Sequence, residues 1–154
     1  MANWITDRTS ADVERAKTIT QKAKSGTWTE AEQSEWYAGM KGALSYLDYN
    51  RIEGGVEEVA DFVGASVSVK TNWGQDGYLT TTDAERWISN VKEIRKKCSG
   101  YSSTPSSAES FKTLYFSDMN EFERILSDIE SLANDHLIYC SEPICGGEPY
   151  YGIC

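Results

Sequence analysis

Histidine is nearly absent from this chain. One residue, His136, stands among 154, beside only 3 prolines. A di-iron bundle built on Glu-x-x-His pairs is excluded, because the position three before His136 is Ala133. A positive charge excess is missing too: 15 Lys+Arg face 24 Asp+Glu, for a net charge of -9. That balance argues against nucleic acid and anionic membrane surfaces as partners, since both attract basic proteins. No run approaches the roughly 18 apolar residues of a membrane span, and no basic-then-apolar leader opens the chain. Neither a transmembrane segment nor a signal peptide is therefore expected.

Apolar residues make up 40% of the chain and aromatics 12%, enough for a core at a length that suits one domain. Helix punctuation is plentiful. Thr9-Ser10-Ala11-Asp12 starts a first helix, with Val13, Ala16, Ile19 and Ala23 along one face and a stop at Gly26. Thr29-Glu30-Ala31-Glu32 has the form of a capping box, opening a second helix striped by Trp36, Met40, Ala43, Leu44 and Leu47. Asp48 reads as the N-cap of a third helix bearing Ile52, Val56, Val59, Phe62 and Val63, ended by Gly64.

Beyond it, Val67, Val69, Thr71 and Trp73 alternate before the turn-forming Gly74-Gln75-Asp76-Gly77, which suggests a short extended segment or irregular hairpin. A second box, Thr82-Asp83-Ala84-Glu85, opens a fourth helix with Trp87, Ile88, Val91, Ile94 and Cys98, ended by Gly100. Ser99 to Ser110 reads as a linker. A last helix begins near Ser117 and carries Phe122, Ile125, Leu126, Ile129, Leu132 and Ala133. The expected fold is an all-α bundle of about five helices over residues 1–139, with an irregular Cys/Gly/Pro/Tyr-rich tail over 140–154. The first three helices should form one layer, with the last two packed back on it. Trp36, Ile52, Val56, Val59, Ile125 and Ile129 should share the core, with Trp36 and Trp87 as aromatic plugs.

No catalytic constellation emerges. A lone His near a helix end is read as a surface residue, favourable to the helix dipole. Glu30, Glu32 and Glu35, like Glu57, Glu58 and Asp61, read as solvated helix faces. Asp76 to Glu85 lacks the ligand alternation of a calcium loop. Gly39-Met40-Lys41-Gly42 has the form of a phosphate-clamping RNA loop, but in a helical pattern of an acidic chain it reads as close packing at small residues. No enzyme activity, cofactor or metal is expected. The residues marked for contact are the aromatics Trp28, Trp73, Tyr78, Tyr150 and Tyr151, for core and interface weigh evenly at Trp73 and Tyr78, and large aromatics supply much of the energy at interfaces and stack on sugars.

Four stretches together carry a resemblance: Trp4 to Val13; Gly39-Met40-Lys41-Gly42-Ala43; Asp48-Tyr49-Asn50-Arg51-Ile52-Glu53; and Glu85-Arg86-Trp87-Ile88-Ser89-Asn90-Val91. In order and spacing they resemble a helical module of tail and minor structural proteins from phages and prophages of Gram-positive bacteria, over roughly residues 1–140. The resemblance implies a non-catalytic virion protein, an adaptor at tail, baseplate or fibre. It would be made in the bacterial host cytoplasm, contact other phage structural proteins and form a homo-oligomer. The alternative is a small module that binds a host receptor or glycan through loop aromatics. In such proteins the last helix runs into a Tyr-Ser-Gly-Glu-like strand repeat. Here Ile138-Tyr139-Cys140-Ser141-Glu142 stands instead, which argues against a fibre shaft.

Cys140, Cys145 and Cys154, with Cys98 upstream, admit three readings. Disulfides would staple a short tail without a core. A four-thiolate zinc site is disfavoured by the wide gap between Cys145 and Cys154. Free thiols suit a reducing cytosol. The expectation is disulfides formed after particle release, with the pairing open.

Overall fold

The computed structural model describes residues 2–97 and 115–141, with side chains through 135. Five α-helices make up the regular structure of these residues, and no strand occurs among them: α1 Ser10–Ser25, α2 Glu30–Ala38, α3 Tyr46–Val63, α4 Thr81–Lys97 and α5 Phe116–Ser141. The all-α expectation holds. The loop over 67–77 forms no strand and no hairpin, and the turn expected at its end is present, with the Gly77 N–H donating to the Gly74 carbonyl at 2.9 Å.

Reciprocal caps start the helices. Thr9 pairs with Asp12 at α1 and Thr29 with Glu32 at α2, each hydroxyl accepting from the third residue's amide while that carboxylate accepts from the cap's amide. At α3 the cap is Ser45, one turn before the position read from the sequence. Asp48 is its third-residue partner and accepts from the Ser45 amide at 3.0 Å. At α4 the box is Thr80 with Asp83, not Thr82 with Glu85. Three consecutive threonines offer overlapping boxes, and the earlier one wins because Asp83 also meets Arg86 at 3.1 Å. Gly26 and Gly64 close α1 and α3 in the left-handed conformation that glycine adopts without steric cost.

The second helix is much shorter than its apolar stripe. Gly39 sits at φ 90°, ψ 123° and ends it, so Met40, Ala43 and Leu44 belong to an irregular segment. That segment crosses the first turn of α1 so closely that a Cβ on Gly42 would clash with the Asp12 carbonyl group. The small residues around Lys41 therefore allow loop-on-helix approach, not the helix–helix packing expected of them.

Two apolar clusters result among the described residues. The main core joins α3, α4 and α5 through Ile52, Val56, Val59, Trp87, Val91, Ile94, Phe122, Ile125, Leu126 and Ile129. Trp87 is fully buried and stacks on Phe122 with centroids 5.7 Å apart. A satellite of Ala16, Ile19 and Met40, flanked by Trp28 and Ala43, joins α1 to the irregular segment. The expected layer of the first three helices is thus replaced by a core of the last three, with α1 and α2 at its side. Trp36 is also corrected. It lies outside both clusters, 36% exposed, and Trp73 is the loop aromatic that enters the core, at 5%.

Candidate docking surface

Extended segments are fastened to the helices by side chains that take the place of a neighbouring strand. Asn50 of α3 donates to the Trp73 carbonyl at 3.0 Å and accepts from the Trp73 amide at 2.9 Å. Asn90 of α4 clasps Ser68 in the same way, at 2.7 and 3.0 Å. Asn120 of α5 clasps Arg8, at 2.8 and 3.0 Å. Each amide satisfies both backbone groups of one residue, which the missing sheet would otherwise leave unpaired.

Two fully buried carboxylates complete the fastening. Glu53 accepts both arms of Arg86 at 2.6 Å, the Trp87 indole N–H at 2.7 Å and the Lys70 amide at 3.1 Å. Glu123 accepts from Arg8 and Arg51 at 2.6 Å and from the Ile5 amide at 2.7 Å. The N-terminal strap ends with the Trp4 indole N–H on Glu130 at 2.9 Å. Its ring lies over Gly55, where a Cβ would stand 2.5 Å from the Trp4 Cη2 atom. These residues come largely from the stretches that carry the resemblance, so the signal in those stretches is one of fold maintenance.

Saturated pairs of this kind are poor reagents. Each carboxylate is held by cations and N–H donors. The described residues contain no cluster of three or more His, Cys, Asp or Glu suited to a metal ion. No helix among them is long and apolar enough to cross a membrane. The acidic residues Glu57, Glu58 and Asp61 are exposed on α3.

The aromatic face around α2 is different. The only buried residue of α2 is Glu32, which bonds Lys22 at 2.6 Å and lies 3.6 Å from Arg15, while Arg15 meets Glu35 at 2.9 Å. Lys22 and the Thr29 amide hold the Glu32 carboxyl down at about 2. Ion pairs and a cap, not apolar burial, therefore moor α2 to α1, and its aromatics are left outward. Trp28 is half-buried at the joint, 6.5 Å edge-on from Trp36 and 6.2 Å from Tyr37 between ring centroids. Tyr37 is 67% exposed.

Beside these rings runs a furrow of about 330 Å³ lined by Trp36, Tyr37, Met40, Ala43, Leu44, Ser45, Tyr46, Leu47, Gln75 and Gly77. None of these side chains is charged. A second hollow of about 490 Å³ shares Met40 and Leu47 with it and reaches Trp4, Asp7, Lys41 and Arg51. Of the expected contact residues, Trp28 stands at this face. Tyr78 is strongly exposed and follows Gly77 of the lining. Trp73 is withdrawn into the core against Tyr49, its ring 3.7 Å from the Lys70 ammonium. Its indole nitrogen is the buried side-chain polar atom left without a partner among the described residues.

Tyr150, Tyr151, Cys98, Cys145 and Cys154 lie outside the described residues, as do the side chains of His136 and Cys140. Trp36, Tyr37 and Leu47 were not anticipated as surface contacts. The available signal was Gly39, which cuts the stripe after Ala38. Comparison of the chain with family models, characterised proteins and solved structures finds no match in any of the three.

Proposed function

We propose that this chain is a non-catalytic structural protein of a phage virion, an adaptor at tail, baseplate or fibre that works through protein–protein contacts. The observation that carries the contact is the uncharged aromatic furrow beside α2, on a chain of net charge -9. Exposed aromatic patches of this kind bury favourably against a partner. The phage assignment rests on the resemblance of the four stretches quoted above. Its test is localisation: an epitope-tagged chain expressed in its own bacterium should band with released particles on a density gradient. A chain that stays free in the soluble fraction after particle release defeats the reading.

A second reading is a receptor- or glycan-binding module. It is favoured by exposed Tyr78 and by Gln75, an uncharged hydrogen-bonding side chain in the furrow lining. Binding of the purified chain to neutral oligosaccharides, lost in Tyr37→Ala, would select it.

A further inference from the structure

We propose that the furrow beside α2 receives the segment Pro149-Tyr150-Tyr151-Gly152-Ile153 of a second copy of this chain, so that copies join head to tail. The inference deepens the protein-contact reading of the same surface and rests on it. Charge supports the match. On a chain of net charge -9, the furrow lining carries no ionised side chain, and residues 149–153 form an uncharged run behind Glu148. An acidic occupant would gain no counter-charge there. Two tyrosines offer wide contact area at low side-chain entropy cost, and the proline before them has a fixed φ.

Geometry favours a second copy over the same one. The start of α5 lies by the furrow's edge, since Phe116 and Met119 share a hollow with Ala43 and Leu44. From there α5 runs to Ser141, so about 33 Å of helix at 1.5 Å per residue separates Met119 from the point where the tail leaves. At full extension Tyr150 reaches only about 30 Å from Ser141. A copy filling its own furrow would need its tail drawn taut along the whole length of α5. A neighbour set end to end needs no such path. The contact joins two different surfaces, so each added copy presents a fresh furrow or a fresh tail, which builds a ring or a filament.

Analytical ultracentrifugation of the full chain, in reductant so that thiols play no part, tests this. The furrow variant is Trp36→Ala with Tyr37→Ala; both side chains are exposed, so the fold should survive, which far-UV circular dichroism checks. The tail variant is Tyr150→Ala with Tyr151→Ala. The parent should associate beyond a dimer, and each variant alone should weaken association at least tenfold. A 1:1 mixture of the two variants should give a capped heterodimer, because one retains the tail and the other the furrow. A two-fold contact of furrow on furrow predicts no such rescue.

If the furrow variant is monomeric while the tail variant associates like the parent, the furrow has another occupant: the tail inference falls and the protein-contact reading stands. If both variants associate like the parent, the furrow is no interface between copies and the inference falls. A parent monomeric at high concentration, or a furrow that binds neutral oligosaccharide with no tail-dependent association, overturns it as well.

Discussion

Glu53 shows what a single residue does in this fold. Its carboxylate sits fully buried among Arg86, the Trp87 indole N–H and the Lys70 amide, so it ties α3 to α4 and to the extended segment at once. A buried charge is costly unless it is paired, and removing one partner leaves the others without their counter-charge or acceptor. Glu53→Ala should therefore cost about 3–5 kcal/mol, measured by urea unfolding. Glu57→Ala, exposed one turn later on the same helix, should stay within about 0.5 kcal/mol. Equal midpoints for the two variants would show that the carboxylate does not hold these segments together. Glu53 and Arg86 stand in two of the stretches that carry the resemblance, but their pairing was not legible beforehand. Glu53 reads as one more acid on an acidic helix, and its partner Arg86 lies 33 positions away. The same holds for the asparagine clasps: Asn50 and Trp73 are 23 positions apart, with no local period linking them.

At the scale of elements, the chain announces its helices through their first turns, because a capping box needs only four consecutive residues. The boxes at Thr9 and Thr29 stand where the sequence places them; those at Ser45 and Thr80 are offset by rival candidates within a few residues. The end of α2 was hidden. A glycine inside a helical pattern is often tolerated, and only the backbone at Gly39 reveals that this one stops the helix. That one glycine turns a buried Trp36 into an exposed one. The cap carboxylates also give this region a dependence on pH. Glu32 is held at about 2 against an ordinary 4.5, first by Lys22 and then by the Thr29 amide. Asp12 is lowered by the Thr9 hydroxyl and amide. At Asp83 burial pushes upward, but the Thr80 and Arg86 hydrogen bonds outweigh it and the net shift is down. A depressed carboxyl adds stability above its unfolded value and loses it as pH falls through the folded one. The α1–α2 mooring should thus be intact above about pH 4.5 and weaken progressively towards pH 2. Melting temperatures at pH 6 and pH 3 check this. The difference should shrink in Glu32→Gln, which has lost the titrating group, and an unchanged difference would remove Glu32 from the account.

At the scale of the molecule, stability among the described residues is divided unequally between two apolar clusters. The main core draws on α3, α4 and α5, whereas the satellite has three buried residues, Ala16, Ile19 and Met40. The strap over residues 2–8 binds to α3 and α5, leaving α1 and α2 held by few apolar contacts and by ion pairs whose cations, Arg15 and Lys22, are exposed, which weakens each pair. Local opening of α1 and α2 should therefore cost less than global unfolding. Ile125 and Ile19 are both fully buried, so their truncations separate the two units. Ile125→Ala should lower global stability by about 2–5 kcal/mol. Ile19→Ala should leave protection in α3, α4 and α5 nearly unchanged while amides of residues 13–38 exchange faster, as read by hydrogen-exchange mass spectrometry. Uniformly faster exchange in both variants would mean that the chain opens as one unit. The aromatic face of α2 would then be as rigid as the core. If the division holds, that face stands on the more compliant unit, and it can adjust to a partner without disturbing the three-helix core that carries it.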